Sequence, residues 1–349
     1  MTYSFMARAF PARAQPLNRP AIELALAAAT IAVILVAAFI LPRPLWSTTA
    51  AGPGATGAAA HDLGWPGLLL AVGFGLACAL PYRPYARALA LLACASPPAW
   101  LLLGLTVALA VTALLVFPAF GSDLFEYVAY ARLWAVYGEH PLLGVPALHR
   151  EDWVYPLVWF PEAPAPYGPL WASIAAVMAL WAGASVTANV LAHKSLCLGA
   201  YAGCCWLIWS LCPPLRRARA LAAFAWSPLV LLEGLAKVHN DLLVALAMLA
   251  ALRLSGAGGL IAAALGALVK LNALAVLPAI AAGMARQASW RPLALGLVGS
   301  ITLFVIGYGP LWQGPETALP VLAQSNRIVW SPGSLLLAFG LDPCLTRGL

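Results

Sequence analysis

Asp123, Tyr127, Tyr130, Trp134 and Tyr137 recur at i, i+4, i+7, i+11 and i+14. That spacing lays one acid and four aromatics along one face of a helix over 122–138. The acid has two competing uses. With Glu126 three residues on, Asp123 makes the pattern of a helix capping box, and the aromatics become an interfacial belt. Alternatively its carboxylate is a general base, a role worth about 10²–10⁴-fold in rate. A carboxylate committed to capping is the poorer base. Glu126, Tyr127 and Tyr130 are then supporting residues. The stretch 121–171 holds six of the twelve acids: Asp123, Glu126, Glu139, Glu151, Asp152 and Glu162. The last four read as solvated or acceptor-facing.

The cations supply the second half of a site. The chain has only three lysines, Lys194, Lys237 and Lys270, all in or beside apolar segments. A charge at membrane depth costs about 2.5–3.5 kcal/mol even on lenient scales and tends to mark function. Lys194 stands near a span end and is expected to snorkel to the interface. Lys270 is midway along an apolar run, where a salt bridge to an acid such as Asp241 competes with an anion clamp. Lys237 and His239 belong to the same outer rim, in the run Lys237-Val238-His239-Asn240-Asp241. Arg327, in Ser325-Asn326-Arg327, projects to that side too, and Asn326 and Tyr167 are further lining candidates. Cations and one acid converging at a membrane face suit a phosphate-bearing lipid and a hydroxyl acceptor. The cations would stabilise charge on a leaving phosphate, and no metal or other cofactor is called for. Tyr167-Gly168-Pro169-Leu170-Trp171 reads as a turn into a helix. No Walker loop, dinucleotide fingerprint or HExxH motif is present, which disfavours a nucleotide-sugar donor.

The elements that must hold these residues are membrane helices. The chain is 63% hydrophobic and 9% charged, with mean hydropathy +0.89. A soluble fold so apolar lacks the polar surface to cover itself. In lipid the backbone must satisfy its own hydrogen bonds, so the spans are helices, and the period-2 alternation of a membrane barrel is missing. The net charge of +7 reflects arginines between spans rather than a nucleic-acid partner. The seven cysteines have no metal-ligand spacing and read as small packing residues.

Apolar runs predict spans at 21–41, 65–80, 100–117, 188–212, 220–235, 242–252 and 293–306, with a short up-and-down pair over 257–285 and a last apolar start at 334–341. Lys270 would be the apex of that pair. Each arm, at about 14 residues or 21 Å, is too short for the whole hydrocarbon core, so the apex lies within the membrane. The segment 169–183 is likewise short and reads as a juxtamembrane helix. This topology leaves eleven arginines cytoplasmic (8, 13, 19, 83, 87, 216, 217, 219, 253, 286, 291) and four outside (43, 132, 150, 327), in keeping with the positive-inside rule.

Four motifs then carry a resemblance: SDLFEYVAYARLWAVYGEHPL, PAPYGPLW, SPLVLLEGLAKVHNDLLVALAMLAALRL and ALVKLNALAVLPAI. Together they resemble the integral-membrane GT-C glycosyltransferases, and most of all the bacterial polyprenyl-phosphate-mannose-dependent alpha-mannosyltransferases, over roughly 99–341. The resemblance implies that an acid of the first large outer loop, here Asp123, is the catalytic base. It implies juxtamembrane helices in that loop, a polyprenyl-phosphate sugar donor and inverting transfer. It also puts His239–Asp241 and Lys270 on the cavity.

The expectation is an all-α polytopic transmembrane bundle of about ten membrane segments, some short or broken. It forms one integral-membrane domain over 1–349, with N-terminal spans in 1–98, a catalytic core in 99–341 and a large outer loop in 119–187. The N-terminus is expected inside the cell membrane and the site outside it. The expected activity is transfer of a hexose, mannose by the resemblance, from polyprenyl phosphate to a glycan or glycolipid hydroxyl. Asp123 is the base. Lys270, Arg327, Lys237 and His239 bind the donor phosphate. A transporter or lipid flippase with buried charges, and a glycan ligase using a lipid diphosphate, stay open as alternatives.

Overall fold

The computed structural model describes residues 19–41, 65–118, 123–284 and 290–320. The expected site residues Asn326 and Arg327, the loop 43–64, the apolar start 334–341 and Arg8, Arg13, Arg43 and Arg286 lie outside the described residues.

Among the described residues the chain is helical and has no strand. Helix α1 (Arg19–Leu35) runs on through a π-helical turn, Val36–Ile40. Next come α2 (Trp65–Ala79), α3 (Tyr82–Cys94) and, past Pro97-Pro98, α4 (Ala99–Leu114). The large loop carries α5 (Asp123–Ala135) and α6 (Pro169–Ala182), packed on each other. Helix α7 (Val186–Leu211) is capped by Ser185, whose Oγ accepts from the Ala188 N–H at 3.2 Å. Then follow α8 (Pro214–Ala225), a π-helical segment Val230–Ala236, α9 (Asp241–Leu254) and α10 (Gly256–Val269). A 3₁₀ stretch, Leu271–Val276, leads into α11 (Leu277–Met284), and α12 (Arg291–Tyr308) ends in a short 3₁₀ turn to Leu311.

Three of these helical runs are long and apolar enough to cross a membrane: Arg19–Ile40, Val186–Leu211 and Arg291–Leu311. The pair α8 and Val230–Ala236 makes a fourth if counted as one span bent by 60°. The expectation of about ten segments, some short or broken, is met only in part: the remaining apolar helices, such as Ala99–Leu114 and Gly256–Val269, are shorter than the roughly 20 residues a full crossing needs. The expected span over 220–235 is a broken one. The chain breaks after Trp226, whose buried indole donates to Thr106 Oγ at 2.9 Å. Helix α3 was not foreseen, since its apolar residues are interleaved with Arg83 and Arg87. Arg87 joins α3 to α1 through Glu23 at 3.2 Å.

Small residues let the helices of the second half approach closely, as is usual in membranes. A Cβ on Gly266 would sit 2.8 Å from the Cβ atoms of Ala247 and Ala273, so α10 lies almost backbone to backbone on α9. Outward-facing residues are large and apolar, among them Trp100, Leu103 and Val107 on α4 and Leu295, Val298 and Ile301 on α12. Cys197 and Cys204 are buried, and no cysteine among the described residues forms a disulfide.

Candidate active site

Helix α5 begins at Asp123 and is buried on nearly all sides from Leu124 to Ala131. Its acid does not cap it. The Tyr127 and Tyr167 hydroxyls both donate to Asp123 Oδ2, each at 3.3 Å, and His239 Nδ1 stands 3.9 Å from the same oxygen. Oδ1 takes no hydrogen bond among the described residues, and the side chain keeps 34% of its exposure. Burial, then the nearby charges, push both phenols well above their ordinary value, so they remain protonated donors. Tyr127 also accepts from the Asn240 N–H at 3.3 Å. Its ring meets Tyr167 and Trp171 edge-on at 5.1 and 4.7 Å.

Glu126 departs from the capping-box expectation. It is buried, and its Oε1 accepts the N–H groups of Trp159 and Phe160 at 2.6 and 3.0 Å. It therefore ties α5 to the far side of the loop. Burial raises its pKa, an effect the two N–H donors only partly offset. Tyr130 donates to the Ala163 carbonyl at 3.0 Å and serves the same loop. Asp152, expected to be solvated or acceptor-facing, is buried under Arg132 at 2.8 Å and Tyr137 at 2.8 Å. Glu139 reaches His149 at 3.2 Å, as Glu151 does at 3.3 Å, and Arg150 meets Glu162 at 3.4 Å. His140 Nδ1 accepts from Leu142 and Leu143, which leaves Nε2 to donate to the Leu311 carbonyl at 2.7 Å. That bond ties this loop to the turn after α12.

The opposite wall is the turn between the π-helical segment and α9. Val238 there has φ +67° and is fully buried. A β-branched residue in the left-handed region is strained by about 1–3 kcal/mol. The turn puts His239 among three carboxylates: Glu233 at 3.4 Å, Asp241 at 3.8 Å and Asp123 at 3.9 Å. Burial opposes the imidazolium, but the bond to Asp241 and the charges of Asp123 and Glu233 outweigh it and raise the His239 pKa. Lys237 pairs with Glu233 at 2.8 Å and lies over the Phe74 ring at 5.7 Å. Asn240 is fully buried, and its side-chain amide has no partner among the described residues.

Lys270 sits where α10 ends, at the apex of the helix pair, in extended backbone. Its Nζ is 2.9 Å from both Asp241 oxygens, so the salt bridge weighed from the sequence forms. Gly168 brings this apex to the aromatic wall. Its N–H donates to the Val269 carbonyl at 3.0 Å, and a Cβ there would collide with the Leu268 carbonyl.

Asp123, Tyr127, Tyr167, His239, Asn240, Asp241 and Lys270 thus form one connected cluster, with Lys237 at its edge. Two participants escaped sequence reasoning. Glu233 was hidden inside an apolar segment, its one signal being Lys237 four residues on. Lys194 does not snorkel: it is buried and donates to the carbonyls of Leu235 and Ala236.

Fold and site define an apolar, all-helical membrane protein whose polar groups gather on one partly open aspartate. The chain belongs to the alpha-(1->6)-mannopyranosyltransferase family, whose N-terminal-domain model matches residues 24–286. It is similar to alpha-(1->6)-mannopyranosyltransferase B of Corynebacterium glutamicum, being 30% identical over 132 residues, or 36% of this chain and 21% of that protein. The match thus spans about a fifth of the relative's length. No solved structure matches the chain.

Proposed function

We propose that the chain transfers mannose from a polyprenyl-phosphate donor to a hydroxyl of a glycan or glycolipid, with Asp123 as base. The family supports the sugar and the reaction class. The observation that carries the residue assignment is the division of the Asp123 carboxylate. Oδ2 is held by two tyrosines, while Oδ1 is without a partner among the described residues and the side chain is partly exposed. A base needs this arrangement: fixed in place, with one oxygen open to a substrate proton.

In the step we infer, Oδ1 takes the acceptor hydroxyl's proton. The acceptor oxygen bonds to C1 of the sugar as the C1–O bond to phosphate breaks, with inversion. The bonding pair leaves with polyprenyl phosphate. His239 and Lys270 stand across the site and would stabilise the charge that develops there. Lys270 commits two N–H groups to Asp241, which orients the third. Lys237 and, from the sequence, Asn326 and Arg327 would extend the anion-binding side. Asn240 and Asp241 would line the acceptor side.

The donor and the extracytoplasmic position of the site belong to this reading, as does a polytopic arrangement in which short helices and broken pairs complete the bundle. It is supported by the gathering of the large loop, the 237–241 turn, the Lys270 apex and the turn at Leu311 around one region. The test is to incubate purified protein with radiolabelled polyprenyl-phosphate mannose and a glycolipid extract. Labelled glycolipid is expected. Movement of intact donor between leaflets without any labelled product would overturn the proposal in favour of a flippase.

A further inference from the structure

One stripe of α7 consists of hydrogen-bond donors aimed at backbone. Lys194, Cys197, Tyr201 and Cys204 fall at i, i+3, i+7 and i+10, which is one helical face. Lys194 Nζ donates to the carbonyls of Leu235 and Ala236, each at 3.1 Å. Cys197 Sγ reaches the His239 carbonyl and Cys204 Sγ the Leu242 carbonyl, both at 3.7 Å. The Tyr201 hydroxyl donates to the Ala225 carbonyl at 2.9 Å. The acceptors bracket the two places where the neighbouring chain leaves helical geometry, after α8 and between Ala236 and Asp241. Irregular backbone beside lipid persists only where a neighbour satisfies its polar groups, and α7 supplies them.

Lys194 is the one amine of the stripe. It is 3% exposed, and its partners are the two carbonyls. Its two acceptors are the last carbonyls of the π-helical segment, a helix end where a cation is favourable. The next residues carry the left-handed Val238 and then His239. A strained turn keeps its shape only where its surroundings over-determine it. Here the ties are Lys194 before it, the His239 N–H on the Glu233 carbonyl at 3.1 Å, and the Asn240 N–H on Tyr127 at 3.3 Å.

We propose that Lys194 is a positioning residue: by clamping the Leu235 and Ala236 carbonyls it holds the Val238 turn in the form that places His239 between Asp123 and Asp241. This deepens the transferase reading and rests on it only for the consequence in catalysis, since the geometry stands without it.

The test is Lys194→Met in the full chain in detergent, with ¹³C-labelled histidine followed by NMR across pH and the His239 signal assigned from His239→Gln. Loss of the clamp moves His239 from its carboxylates, so its titration midpoint falls towards the ordinary histidine value. Removing a positive charge without moving the turn would raise the midpoint instead, and a rise or no change in a folded variant overturns the proposal. If Lys194→Met does not fold, Lys194→Gln, whose shorter side chain ends in an uncharged amide, is titrated likewise. A lowered midpoint supports the clamp and a raised or unmoved one overturns it. In the transfer assay Lys194→Met should lower kcat by about 10²-fold, the effect of roughly 1 Å of misplacement, with donor KM little changed. A lowered midpoint in a chain that transfers no mannose upholds the clamp and refutes the transferase reading. An unmoved midpoint in an active enzyme does the reverse.

Discussion

At the scale of single residues, the paired acids of α5 have separated into different roles. Asp123 faces the cluster and Glu126 faces the loop, although their spacing is that of a capping box. The sequence showed Asp123 because an acid heading an aromatic helical face is rare in so apolar a chain. It misdirected on Glu126 because a capping pattern is local, whereas the Trp159 and Phe160 N–H groups are brought in by folding. Glu126→Gln keeps an acceptor oxygen for both and should retain stability, while Glu126→Ala orphans two N–H groups at about 1–3 kcal/mol each. The raised Glu126 pKa has a sign: the folded state holds its proton more tightly than the unfolded state. Stability therefore falls as pH rises from the ordinary glutamate value through the folded one. Thermal unfolding against pH should show that limb in the wild type and lose it in Glu126→Gln. His239 gives a second limb. Its raised pKa contributes stability that is whole below the unfolded value near 6.5 and lost as pH rises through the folded value. His239→Gln should flatten that limb.

At the scale of elements, the site depends on two places where helices stop. One is the Lys270 apex, which was legible because a lysine interrupts an otherwise apolar pair of arms. Its approach to α6 depends on Gly168. Gly168→Ala forces the chain away from the Leu268 carbonyl, so a loss of about 1–3 kcal/mol and a drop in transfer are expected, measurable by thermal unfolding and by the labelled-mannose assay. The other is the turn after Ala236. The break at Trp226 that precedes it had a signal in Ser227-Pro228, since a proline lacks the N–H a continuous helix needs; the apolar residues around it led 220–235 to be read as one span, and nothing in them announces the Thr106 hydroxyl. Lys194 was misread for a related reason. Its distance from a span end says how far it is from water, and says nothing of carbonyls on a neighbouring helix. Helix α3 was missed because mixed arginines and leucines look like a loop between spans until α1 lies beside them.

At the scale of the whole molecule, composition alone separated this chain from soluble folds, and the family match agrees with the motifs. What composition could not supply was the number of crossings, because helices of about 14 residues serve equally as half-spans, interfacial helices and re-entrant arms. The topology makes a direct prediction. A cysteine at Arg150, which is exposed in the large loop, should react with a membrane-impermeant maleimide in intact cells. One at Arg216, in α8, should react only after permeabilisation, each read against the parent chain. Reaction of both from outside would contradict the assigned orientation. The central claim is that Asp123 accepts the acceptor's proton, and Asp123→Asn tests it most directly, because the amide keeps the shape and loses the base. Transfer of labelled mannose should fall by at least about 10²-fold in a variant whose thermal unfolding matches the wild type; transfer at the wild-type rate would contradict the account.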